Sequence, residues 1–449
     1  HMDELLSLFL QISGFTEPKT YLVLLQNSME LRPTGGFIGS VAVATFADGR
    51  LTNFDIQDVY TFDGQLKGHV DPPEAVRELL GTEHWYLRDS NWDPDFRESG
   101  GRAAWFYEKE TGNTVDGVFA VNTPFVAQVL GAVGPIDLAD YNDRITADNF
   151  YGKSLFYTQN NFFPGSTQKK DFLGTLARAL MEKITTGKGT NITKLFSALT
   201  TAISAHDVLM MFTSSELQAM VEHLGWAGQV PTAPGCNGVS SAICRFDPLA
   251  IVEANMGVNK VNYFIRRTIT RQITIDQDGS LEEAVTLTIT NTSGGEDGKP
   301  YRTYVRFLLP QGSSVKSVVL DEAAIGPRQT NKTPLVLPYV DEISVLGEST
   351  VSAVALDILP GAEKQLTITY TLPPLQFGSE GAILDLFDQK QPGVSGTPAR
   401  TIIRYPHVWT AGMEDREGFS GREFIAKDGQ IEYNTILDAD ELTRIRLTK

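Results

Sequence analysis

Residues 21–60 read YLVLLQNSMELRPTGGFIGSVAVATFADGRLTNFDIQDVY. YLVLL is an unbroken apolar run, the pattern of a strand covered on both faces. FIGSVAVATF is a second strand, Ala47-Asp48-Gly49 marks a hairpin, and RLTNFDIQDVY is a third. Between the first two lies QNSMELRPTGG, which carries Glu30, Arg32, Gly35 and Gly36. Layered sheets often place their binding sites on polar loops that follow buried strands. An arginine there can bind a phosphate by joining its guanidinium fork to exposed backbone N–H groups. The other reading is a closed turn in which Arg32 pairs with Glu30. The sequence leaves both open.

Outward from this core, DELLSLFLQISGF (residues 3–15) is an amphipathic helix, and Asp71-Pro72-Pro73-Glu74 opens another. RDSNWDPDFRESGGR (88–102) follows. Its Asp89, Asp93 and Asp95 could hold a hard cation such as Mg2+, and Arg88, Arg97 and Arg102 could clamp a pyrophosphate. A surface network of ion pairs is the alternative. VDGVFAVN (115–122) is a buried strand, and TPFVAQVLGAV is a helix ended by Gly134-Pro135. Lys169 and Lys170, with Asn160 just upstream, open the periodic helix KKDFLGTLARALMEKITTG; lysines at that end suit a nearby anion, and a solvated lysine pair is the more common alternative. NITKLFSALTTAISAHDVLMMF (191–212) reads as one helix, and Ser214-Ser215-Glu216 starts another.

Strands and helices thus alternate through residue 229, the mark of an α/β or α+β layered domain. After Cys244 alternating strands dominate, separated by Gly, Asn, Asp and Pro turns, and predict an all-β, Ig-like sandwich. The expected division is an α/β domain over 1–245, a connecting segment over 246–262 and the sandwich over 263–449.

The 449 residues carry a formal charge of -17, which argues against a nucleic-acid surface or a broadly basic membrane face. The chain lacks an apolar run long enough to span a bilayer, and His1-Met2 resembles a cloning remnant; the start close to a helix leaves open the expectation of an upstream N-terminal membrane anchor. Cys236 and Cys244 are the two cysteines, close together in a Gly/Pro/Ser loop. They suit a disulfide in an exported protein, with two reduced thiols as the alternative. The chain contains no GxSxG, HExxH or P-loop motif, and no GxGxxG after a strand. His69, His84, His206, His223 and His407 are scattered singly, and each reads as a surface or core residue rather than a ligand.

LLQNSMELRPTGGFIGSVAVATFADGRL, DSNWDPDF, VDGVFAVN and VLGAVGPIDL resemble, in that order, the DUF4012 family of bacterial envelope proteins, over roughly residues 15–270. By its layout the same region is similar to the LytR-CpsA-Psr family. Those anchored, outward-facing enzymes transfer glycopolymers from a polyprenyl pyrophosphate carrier with magnesium, aspartates and arginines. On that pattern Asp58 falls on the final aspartate of the family's motif after the third strand, while Gln57 replaces its arginine. Gly36 stands where a metal-binding aspartate belongs. Gln159, Asn160, Gln168, Lys169 and Lys170 stand for its late arginine cluster. The resemblance implies an extracytoplasmic protein that binds or transfers a polyprenyl-linked glycan or other envelope glycopolymer. Arg32, Asp58, Arg88 and Asp89 would be catalytic, and Glu30, Gly35, Gly36, Arg97, Arg102, Asn160, Lys169 and Lys170 would hold substrate. The competing expectation is a non-catalytic surface binding or scaffold protein. FVAQVLGAV and LFSALTTAISAHDVLMMF (195–212) would then be packed core rather than the lining of a lipid tunnel.

Overall fold

The structure is a computed structural model describing residues 2–159, 168–187, 189–230, 236, 239–240, 243–295, 298–329, 335–414 and 424–449. It is a mixed α/β chain with several sheets, and its C-terminal half is mostly β. The contacts divide it into two compact units. One comprises residues 1–229 with Val258–Tyr263; the other comprises Val230–Gly257 with Phe264–Lys449.

In chain order the first unit contains α1 (Met2–Ile12), β1 (Lys19–Asn27), β2 (Phe37–Ala47), β3 (Arg50–Asp58), α2 (Val59–Asp63), α3 (Glu74–Leu80), α4 (Phe96–Thr111) and β4 (Gly117–Asn122). It continues with α5 (Thr123–Val133), β5 (Ile136–Leu138), β6 (Asp143–Ile145), α6 (Phe150–Gln159), α7 (Gln168–Thr186), α8 (Ile192–Ser204), β7 (Val208–Phe212) and α9 (Ser215–His223). Its main sheet has the order β3-β2-β1-β4-β7. β1 and β4 are parallel, with Leu22 opposite Val118; the other neighbours are antiparallel.

The strand period of two sorts the apolar residues onto two faces. Leu22, Leu24, Val118, Ala120, Leu209 and Met211 pack with Phe96, Ala103 and Phe106 of α4. Tyr21, Val208, Met210 and Phe212 pack on the other face with Leu8 of α1, Ala202 and Ile203 of α8, and Val221 of α9. Each large side chain buried this way contributes about 1.5–3 kcal/mol. Helices therefore cover both faces, as the unbroken YLVLL run requires.

Two expectations need correction here. Residues 191–212 do not form one helix: α8 ends at Ser204, His206 turns through φ +56°, and VLMMF becomes β7. Its five residues are all buried, and a short apolar run bears no periodicity that distinguishes helix from strand. Residues 246–262 are not a connector, because Cys244–Asn255 is a twelve-residue strand between Tyr301–Leu309 and Ala382–Gln389.

The second unit has two eight-stranded sheets. One includes Ile265–Ile275, Leu281–Asn291, Glu363–Leu372, Thr397–Arg404 and Gln430–Leu437. The other includes Cys244–Asn255, Tyr301–Leu309, Ser349–Ile358, Ala382–Gln389 and Glu441–Thr448. Leu281–Asn291 buries every second residue, the pattern of a strand with one face on a core. Arg271, fully buried on the first sheet, donates to Glu283 at 3.1 Å beside it and to Asp247 (2.6 Å) and Asp388 (3.0 Å) on the second. Burial, reinforced by Glu283 next to it, pushes the Asp247 carboxyl well above the usual range. Cys236 and Cys244 are bonded to each other, their Cα atoms 5.6 Å apart, and Asp385 accepts the Cys236 backbone N–H at 2.7 Å.

Candidate functional site: a closed turn and an open cleft

The loop between β1 and β2 is closed. Arg32 is 3% exposed, and its guanidinium lies 3.2 Å from Glu30 and 3.6 Å from Asp89. Gly35 has φ +129°, and a Cβ there would lie 2.1 Å from the Asn122 side chain. At Gly36 a Cβ would meet the Asn27 backbone at 2.3 Å. The glycines therefore serve close packing rather than access by a ligand. The backbone N–H groups of Ser28, Met29, Glu30, Leu31, Gly35 and Phe37 are all donated within the protein. An anion would have to displace those bonds.

The lock is made of amides. Asn91 donates to Gln26, Thr34 and the Gly36 carbonyl, and Gln26 donates to the Thr34 carbonyl and to Asn122. Gln26, Thr34, Asn91 and Asn122 are all buried, so each bond is made where water cannot substitute for it. From far along the chain, the Lys260 Nζ reaches Glu30 at 2.6 Å, and the Asn262 side chain accepts the Leu31 N–H at 3.1 Å. Reading the sequence missed Gln26, Asn91, Asn122, Lys260 and Asn262. Gln26 and Asn122 are uncharged amides at strand ends, a signal that is common and unspecific; Asn91, Lys260 and Asn262 carried none.

Around Arg32 the charges alternate in sequence: Lys260, Glu30, Arg32, Asp89, Arg88 and Asp63, with Arg88 lying 3.4 Å from Asp89 and 2.7 Å from Asp63. Burial pushes the Glu30 carboxyl upward, but Lys260 and Arg32 outweigh it and hold it below the usual range. Burial raises Asp89 and Asp63, and their arginines only partly offset the rise. Beyond Asp63 sits Glu110, 6% exposed, with neither carboxyl oxygen in a hydrogen bond of good geometry. Burial, reinforced by Asp63, pushes Glu110 up to about 8. With Glu110 protonated, three anions face three cations and the chain is electrically closed.

Glu30, Arg32, Arg88 and Asp89 thus come together, but in the interior. Asp58 caps α2 by accepting the Tyr60 N–H, and it joins the group only through Tyr60, whose ring lies under Arg88. Asp89, Asp93 and Asp95 do not gather around a cation. Asp93 accepts the Asp95 N–H, Asp95 caps α4, and Asp89 faces the two arginines. The close set of Cys236, Cys244 and Asp385 is a disulfide and an arginine-paired carboxylate rather than a metal site. Asn160 lies outside the described residues, as do the side chains of Lys169 and Lys170 on α7.

Arg97 and Arg102 lie elsewhere, on an open cleft of about 460 Å3 lined by α4, the end of β7 and the start of α9. Arg97 makes a 3.4 Å ion pair with Glu222. The exposed Arg102 has its guanidinium over Trp85 at 5.0 Å and over Trp105 at 5.5 Å, with no acidic partner among the described residues. Thr213 and Ser215 complete the rim, with Glu98 beside them. A guanidinium against an aromatic ring can still offer N–H donors to an oxyanion.

The fold and these two features define a two-unit α/β and β protein with a locked turn and an arginine cleft. Residues 16–155 match the family model described as "Protein of unknown function (DUF4012)". No curated protein matches the chain. Among solved structures, a Legionella pneumophila protein described as nutrient binding overlaps 44% of this chain and 71% of its own, at 12% identity and TM-score 0.29. Leukotriene A4 hydrolase from Saccharomyces cerevisiae overlaps 41% of this chain and 29% of its own, at 8% identity and TM-score 0.25. An M1 zinc metallopeptidase from Deinococcus radiodurans overlaps 41% and 42%, at 13% identity and TM-score 0.24. The chain spans less than half the length of these last two proteins, and overlaps at such scores define no common fold.

Proposed function

We propose that the chain is a non-catalytic, extracytoplasmic binding or scaffold protein of the cell envelope. Its ligand is an anionic segment of an envelope glycopolymer, taken at the Arg102 cleft. One observation carries this reading: the arginine of the Gly-Gly turn is neutralised internally, whereas Arg102 is exposed, lies against two tryptophan rings and has no acidic partner among the described residues. The bonded cysteines favour an oxidising compartment. No described helix is long and apolar enough to cross a membrane.

A phosphate or carboxylate on the Arg102 fork gains about 1.5–3 kcal/mol, so Arg102→Ala weakens binding at least tenfold. The test is titration with a glycerol-phosphate oligomer and with a uronic-acid oligomer at two salt concentrations. Unchanged affinity in Arg102→Ala overturns the cleft.

A divergent transferase, similar to LytR-CpsA-Psr enzymes and using Mg2+, keeps one supporting observation, the convergence of Arg32, Arg88 and Asp89. It requires turnover of a polyprenyl-pyrophosphate sugar that is lost in Arg32→Ala. Detection of that turnover would replace the binding reading.

A further inference from the structure

His69 and His84, fifteen residues apart, are brought face to face. Their Nδ1 atoms are 2.7 Å apart and their rings nearly perpendicular, with centres 4.4 Å apart. The Trp85 N–H donates to the Val70 carbonyl at 2.8 Å, joining the two backbone segments. Thr82 donates to the His84 carbonyl at 2.9 Å. On the far side of His69, Nε2 lies 3.0 Å from the Asp71 carboxylate, which also has Arg77 at 3.7 Å. The group is at the surface, with the His69 side chain 47% exposed.

The carboxylate fixes the His69 tautomer. It holds the proton on Nε2 and so presents the Nδ1 lone pair toward His84. A straight N–H···N bond would put the ring centres roughly 5 Å apart. At 4.4 Å the rings are inclined to the line joining their nitrogens.

We propose that His69 and His84 form a two-nitrogen site for a late first-row divalent cation of the zinc type. Asp71 is the carboxylate that orients His69, and water fills the remaining positions. Two ligands of a tetrahedral zinc ion lie about 3.3 Å apart at bonds of about 2.0–2.1 Å, so the two Nδ1 atoms open by about 0.6 Å and the ring centres separate to about 5 Å. His84 adapts by carrying its proton on Nε2, its outward nitrogen, with no change in net charge. Imidazole nitrogens suit Zn2+ or Cu2+ and not Mg2+, which prefers oxygen. Glu83 and Tyr86 flank His84 and are open to solvent or partly so; neither is required as a ligand.

The test is calorimetric titration of the whole, metal-stripped chain with Zn2+, repeated with Mg2+. One Zn2+ per chain is expected, with no Mg2+ heat at the same concentration. His69→Ala and His84→Ala each abolish the event, and Asp71→Asn weakens it about 10–100-fold. Nitrogen NMR of both imidazoles reports which atoms bind, with the Nδ1 signals moving on saturation. Absence of zinc heat in the wild type, binding that survives either histidine substitution, or zinc-induced shifts confined to other histidines would each overturn the site. Circular dichroism of the variants confirms that these surface substitutions leave the fold in place.

Discussion

Glu110 offers a sharp test of the buried charge chain. Its carboxyl is enclosed, sits beside Asp63 and titrates at about 8 in the folded protein. The unfolded chain releases that proton near the ordinary value of 4.5. Between those two pH values the folded state holds a proton that the unfolded state has lost, so stability falls as pH rises. At 1.36 kcal/mol per pH unit, the full span amounts to about 5 kcal/mol, of which about 3 kcal/mol accrues between pH 5 and 7.5. Glu110→Gln keeps the shape and is neutral throughout. Its stability relative to wild type should be near zero at pH 5 and should favour the variant by about 3 kcal/mol at pH 7.5. Urea unfolding followed by tryptophan emission is suitable, because Trp85, Trp92, Trp105 and Trp226 all lie in the first unit. Parallel pH profiles for wild type and variant would show that Glu110 is not held protonated, and the electrical closure of the chain would fail with it.

Other outcomes follow from the same geometry. Arg32→Ala leaves Glu30 and Asp89 facing each other with half their compensation, so it should cost about 3–5 kcal/mol in urea unfolding. Arg102→Ala, on the surface, should stay within about 0.5 kcal/mol; equal effects would contradict the assignment of one arginine to structure and the other to binding. Gly35→Ala should give a chain with lost near-ultraviolet circular dichroism, since its Cβ would overlap Asn122. A native spectrum would mean that the turn is looser than described. Arg271→Leu strips three carboxylates of their common partner and should destabilise the second unit by about 3 kcal/mol or more, read from the emission of Trp409. Non-reducing mass analysis should find the chain two hydrogens lighter than its reduced form, and unreacted thiols would refute the Cys236–Cys244 bond.

Much of the architecture was legible in local pattern. YLVLL, FIGSVAVATF and VDGVFAVN announced β1, β2 and β4, because period and apolar run length are properties of neighbouring residues. Ser214 announced the start of α9, and the isolated cysteine pair announced its bond. VLMMF was misread because its context decides its state: it became a strand by pairing with β4, a partner some ninety residues earlier.

The sequence alone therefore determined most of the strands and helices, that the chain changes character midway, and which residues are rich enough in charge to matter. Only the tertiary structure decided what those charges do. Arg32 and Arg102 look equally available in a line of letters. Lys260 and Asn262, more than two hundred residues away, help to close the turn around the first. The second is exposed and lies against two tryptophan rings. Burial and partner distance set the free energy of a charge, and both are long-range quantities that no local pattern encodes.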